Sequence, residues 1–220
     1  MKMFFFCCVA AMLSSSTQAQ PNNPYNRAGT DFVKSAQVIA SELKKGNIKN
    51  ADEATISQIQ SSIPTKTQMN PSLAGEIMKN IAQNPLPFSS VLKSSSLKPE
   101  LQREVSMMLE HLVSSKTEMH KAWLTEKAES YLKTALEKDD KEILLTLVAI
   151  MYNADQFGSM ARIRCNTSVN GRVVNEGEGM ECAGAATLIG FTLGYTFCGF
   201  YCGLGGALIG FVAVAVGSIS

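Results

Sequence analysis

Two histidines, a handful of cysteines and scattered carboxylates are the residues of this chain whose types could do chemistry. His111 and His120 are the only imidazoles, so a nucleophile–His–acid site would have to use one of them as its base. Neither stands in a fitting setting. Glu110-His111 and Glu118-Met119-His120 lack the HExxH spacing that sets two imidazoles on one helical face to hold a metal. They read as surface histidines on amphipathic helices. The chain contains no GxSxG elbow and no GxxxxGK[ST] phosphate loop. Gly177-Glu178-Gly179 is followed by Cys182 where a dinucleotide fingerprint needs its third glycine, which makes it a linker. The expectation is a protein that is not an enzyme, with no catalytic, cofactor-binding or metal-binding residue.

What the cysteines do depends on the compartment, and the first 19 residues address it. Lys2 precedes an apolar run from Met3 to Leu13, followed by Ser14-Ser15-Ser16-Thr17-Gln18-Ala19. A basic start, an apolar stretch too short for a bilayer and a small-residue exit describe a secretory signal peptide, residues 1–19, cleaved after Ala19. Cys7 and Cys8 leave with it. The remaining four, Cys165, Cys182, Cys198 and Cys202, are disulfide candidates in an exported chain, with three connectivities open. Cys165 and Cys182 bracket Val169-Asn170-Gly171-Arg172-Val173-Val174, whose Asn-Gly favours a tight β-hairpin turn. Closing that loop would stabilise the fold by roughly 3 kcal/mol in the chain-entropy account. A zinc site is disfavoured by the lack of paired CxxC elements. Asn166-Thr167-Ser168 is a glycosylation acceptor in a eukaryotic secretory pathway.

The elements that would carry any site are helical. With 45% hydrophobic and 18% charged residues the chain is no disordered tail protein, and 20 Lys plus Arg against 19 Asp plus Glu give no basic excess for nucleic acid. Residues 20–30 read as an extended lead-in. Thr30 or Asp31 can cap a helix carrying Phe32, Val33, Ala36, Ile39, Ala40 and Leu43 and stopping at Gly46. Further helices are expected over about 52–63 and 71–83, then a loop reaching Ser94-Ser95-Ser96. Pro99 suits a first helical turn, and Leu101, Val105, Met108, Leu109 and Leu112 follow at helical spacing. Met119, Trp123, Ala128, Tyr131, Leu132 and Ala135 continue the pattern. Asp139 or Asp140 can cap a last helix over 143–152, apolar nearly all round and so expected in the middle. The fold class is therefore mainly α: a small bundle of five to six helices over 20–160, a polar and disulfide-closed hairpin loop over 161–182, and a Gly-rich apolar helical hairpin over 183–220.

That last segment is the informative one. It carries no charge and holds 9 of the 16 glycines. In water each glycine would weaken an ordinary helix by about 1 kcal/mol, whereas in lipid small residues let helices approach closely enough to gain packing energy. Counting in fours from Cys182 gives Ala186, Gly190, Gly194, Cys198, Cys202, Gly206 and Gly210, an unbroken face of small residues. One continuous helix of this length would measure roughly 57 Å against a hydrocarbon core of about 30 Å. A break near Cys198–Gly203 instead leaves two arms whose glycine faces pack together, with Ala186, Gly190, Gly194, Gly206 and Gly210 as the membrane-packing face. Three other readings compete: a buried core hairpin of a soluble fold, a GPI-anchor signal, and a fibrous segment.

In this tail alone the chain resembles glycine-zipper, bacteriocin-like secreted proteins. The resemblance implies a lipid membrane as partner, with insertion, self-association through the tail and pore formation. The chain departs from typical bacteriocins in lacking a double-glycine leader and in its length. The alternative is a secreted helical binding module for a protein partner, in which the tail is core or a simple anchor. Either way no nucleic acid is involved, and the destination is secreted, periplasmic or outer-membrane associated.

Overall fold

A computed structural model describes residues 20, 22–45, 88–114, 117–153, 167–169 and 172–174, together with 186, 187, 190, 191, 194, 203, 204, 206, 207 and 210. The described part is mainly α and forms a helical bundle. Its elements are α1 (Asn26–Lys44), α2 (Phe88–Ser94), α3 (Pro99–Ser114), α4 (Thr117–Lys133) and α5 (Lys138–Asn153). Two short antiparallel strands, β1 (Thr167–Val169) and β2 (Arg172–Val174), pair Thr167 with Val174 and Val169 with Arg172. The helices expected over 52–63 and 71–83 lie outside the described residues, as do the four candidate cysteines and the leader.

The centre is α5. Asp139 and Asp140 occupy its first turn, where carboxylates meet the positive end of the helix dipole. Every residue from Ile143 to Asn153 is buried. An element apolar around its whole circumference needs neighbours on all sides, and α1, α4 and α3 all pack against it. The nearly all-apolar run thus takes the central position expected for it. The aspartates lie within the first turn rather than ahead of it, because α5 begins at Lys138.

At α1 the start is corrected. The lead-in read as extended is helical from Asn26, since Asn23 supplies the entry: its Oδ1 accepts the Tyr25 N–H at 2.9 Å and its carbonyl accepts Asn26 N–H at 3.1 Å. Gly29, which read as a loop residue, lies inside the helix for a packing reason. A Cβ there would meet the Ala149 carbonyl group and lie 2.8 Å from Asn153 Nδ2. Glycine lets the α1 backbone sit directly on the α5 backbone.

The stretch before Pro99 is the second correction. Phe88–Ser94 is a helix, not a loop. Val91 and Leu92 are buried on it, and Ser94 Oγ turns back to the carbonyls of Ser90 and Val91 at 3.0 and 3.1 Å. Serines that bond their own helix backbone do not need to break it. At the end of α4, Ala135 falls beyond the last turn and is exposed, so it leaves the apolar stripe it was assigned to.

An N-terminal strap ties these helices together. Asn23 Nδ2 donates to the Leu145 carbonyl on α5 at 2.8 Å, and Gln20 Nε2 donates to the Leu124 carbonyl on α4 at 3.1 Å. Gly29→Ala tests the close approach beneath it. Alanine should gain about 1 kcal/mol of helix propensity, but its methyl meets a backbone carbonyl that cannot swing away. The net effect expected in denaturant unfolding is a loss of about 1–3 kcal/mol, and a stabilised variant would refute the contact.

Candidate functional site

The two histidines are not surface residues, which corrects the sequence reading: His120 is buried and His111 half-buried. His111, near the end of α3, stacks on Trp123 of α4 with ring centroids 4.2 Å apart and planes 13° from parallel. His120, on the first turn of α4, meets His111 edge-on at 5.1 Å and is 3% exposed. The chain reversal between the helices brings both imidazoles to one place, and the sequence separation of nine residues hid it. The cluster is an aromatic seam joining α3 to α4, of the kind that adds about 0.5–1.5 kcal/mol beyond area burial. Among the described residues no group of three or more His, Cys, Asp or Glu side chains is placed to hold a metal ion.

About two turns back along α3 from His111, a charged contact also joins α3 to α4. Glu104 Oε2 accepts from Lys127 Nζ at 3.0 Å and from the Tyr131 hydroxyl at 2.6 Å. The Lys127 ammonium also lies over the rings of Trp123 and Tyr131, at 5.4 and 5.6 Å. Burial pushes the Tyr131 hydroxyl well above the ordinary phenol range, helped by its hydrogen bond to Glu104 and by the Glu104 charge. All parties satisfy one another. The arrangement holds helices in place and presents no reactive group.

Lys98, just before α3, donates to Glu137 at 2.6 Å and to Asp140 at 2.9 Å, and these two carboxylates hold its ammonium above the usual lysine range. The group is exposed, so this ion pair contributes little to stability.

The tail holds the other unusual geometry. Each described tail residue is helical, and all are buried except the half-buried Leu204. A Cβ on Gly190 would meet the Gly206 carbonyl and lie 3.1 Å from the Gly210 nitrogen. One on Gly206 would meet the Gly190 carbonyl and lie 3.2 Å from Gly194 Cα, and one on Gly210 would meet the Ala186 carbonyl. The structure thus brings Ala186, Gly190, Gly194, Gly206 and Gly210 together. Their order is antiparallel, because 210 faces 186 and 206 faces 190. Beside this seam Phe191, fully buried, lays its ring against Gly203, where an added Cβ would stand 2.9 Å from the ring.

Such backbone-to-backbone contact is what small-xxx-small spacing makes available, and no larger side chain can enter it. It is a packing site rather than a reactive one. Among the described residues no helix is long and apolar enough to cross a membrane.

Tyr131 gives a pH test of the bundle. Its folded-state pKa lies above its unfolded value of about 10, so its contribution is complete below that value and is lost progressively as pH rises above it. Tyr131→Phe should lower stability by about 1 kcal/mol at neutral pH and reduce the alkaline fall in Tm above about pH 10. An identical alkaline profile in the two proteins would show that Tyr131 does not titrate with unfolding. No family model matches the chain, and no curated protein or solved structure matches it either.

Proposed function

We propose that the protein is exported, loses residues 1–19, and acts at a lipid membrane through residues 183–220, a helical hairpin that the bundle carries in packed form. The observation that carries this reading is the antiparallel seam in which Gly190, Gly206 and Gly210 set backbone against backbone. Glycines at this density are costly in a helix facing water and suited to helices that must pack without large side chains. Absence of charge after Glu181 removes the principal barrier to lipid entry. On meeting a membrane the hairpin unpacks and inserts, and the same small faces support self-association, with pore formation of the bacteriocin-like kind as the outcome. Export also favours disulfides among Cys165, Cys182, Cys198 and Cys202, and the β1–β2 pair lies between the first two.

A second reading rests on a different observation. Ala186, Thr187, Phe191 and Ala207 are fully buried within a single chain. On that account the hairpin is permanent core, and the protein is a secreted binding module whose helical surface recognises another protein.

Liposome flotation separates them. Mature protein from Gln20 to Ser220 should float, and a version ending at Glu181 should not. Dye release should follow, and Gly190→Leu with Gly206→Leu should abolish it by wedging the seam apart. Full-length monomer that stays in the soluble fraction would sink the membrane reading and favour the second. Flotation with undiminished leakage in the double variant would remove the seam from the mechanism.

A further inference from the structure

We propose that Gln20 is a modification site: once the leader is removed, its new amine closes on its own side chain to give pyroglutamate, which Asn23 and Asn26 receive. The inference rests on cleavage after Ala19 as proposed above. In the uncleaved chain Gln20 is 3% exposed. Its backbone N–H donates to Asn26 Oδ1 at 3.0 Å, and its side-chain Oε1 accepts from Asn23 Nδ2 at 2.8 Å. The backbone nitrogen and the side-chain carbonyl, the two groups a lactam joins, are therefore both bonded to the one turn that opens α1.

Cleavage changes the chemistry of that place. The nitrogen that was a neutral amide becomes an amine, and its protonated form sets a charge at the place where a neutral N–H meets Asn26 Oδ1. Cyclisation removes the charge. The neutral amine nitrogen attacks Cδ, the N–Cδ bond forms, the Cδ–Nε2 bond breaks, and Nε2 leaves as ammonia with one proton from the amine. No oxidant or co-reactant enters. The lactam retains one N–H for Asn26 Oδ1 and one carbonyl oxygen for Asn23 Nδ2, so both bonds to the turn persist. Only the bond from Nε2 to the Leu124 carbonyl is given up. That carbonyl sits inside α4, where the helical ladder already provides a donor, so its loss orphans no acceptor. Asn23 Nδ2 keeps its second bond, to Leu145 on α5.

The test is mass spectrometry of the N-terminal peptide of protein expressed with its full leader and purified after export. The expected peptide begins at residue 20 and is lighter than the uncyclised one by about 17 Da, the mass of ammonia. A peptide beginning at Gln20 with full mass overturns the cyclisation while leaving the cleavage intact. A different first residue overturns the cleavage and the site with it. Thermal unfolding of the two forms of the mature chain then tests the receiving turn. The cyclised form should melt higher by about 4 °C, and an equal or lower Tm overturns the claim that Asn23 and Asn26 accommodate the lactam.

Discussion

From Ile143 onward, α5 has no side turned to solvent, and a helix of that kind persists in water only where neighbours cover its whole circumference. Each of its buried Leu, Ile and Val side chains contributes roughly 1.5–3 kcal/mol when removed from water. Of the polar side chains it buries, Asn153 donates to the Ala149 carbonyl one turn back, at 2.8 Å, whereas the Thr146 hydroxyl is buried without a hydrogen-bond partner among the described residues. The positions of α1, α3 and α4 follow from this demand. The aromatic contact of His111 with Trp123 and the Glu104–Lys127–Tyr131 cluster hold α3 and α4 to each other beside it. Lys121, over the Tyr152 ring at 5.5 Å, fastens α4 to α5 directly.

Among the described residues, close backbone approach through glycine occurs in two places, with different consequences. In the bundle Gly29 seats α1 on Ala149, and buried apolar side chains such as Phe32 and Val33 pack beside it. In the tail the small residues recur every four positions and contact one another reciprocally, so the seam itself is the packing. The first arrangement draws its strength from removing Leu, Ile and Val from water. The second draws on dispersion between closely spaced backbones, which persists when the surroundings change from protein to lipid. A segment of the second kind can keep its internal contact while exchanging its exterior.

Much of the bundle was legible because it rests on periodicity. The stripe of Leu101, Val105, Met108 and Leu109 and the continuous apolar run of α5 marked buried faces that the structure contains. Errors arose where a residue acts through a distant partner. Gly29 fell within the stretch read as an extended lead-in because its reason for being glycine is Ala149, and His111 and His120 looked exposed because the contact that joins them is tertiary. Residues 88–94 looked like a loop because composition does not reveal whether a hydroxyl bonds its own helix, while Ser95 and Ser96 do lie past the end of α2. In the tail, spacing in fours was enough to nominate Ala186, Gly190, Gly194, Gly206 and Gly210 as one face. It carried no information about what lies outside that face.

The strap at the N-terminus has a kinetic consequence. The contacts of α3, α4 and α5 connect neighbours in the chain, and such local contacts form early and quickly. The bond from Asn23 to Leu145 spans 122 residues, so its loop-closure cost falls late, after α5 exists. Interactions made after the transition state slow unfolding without speeding folding. That bond is then among the last to form, and it governs how long the folded bundle lasts rather than how fast it forms.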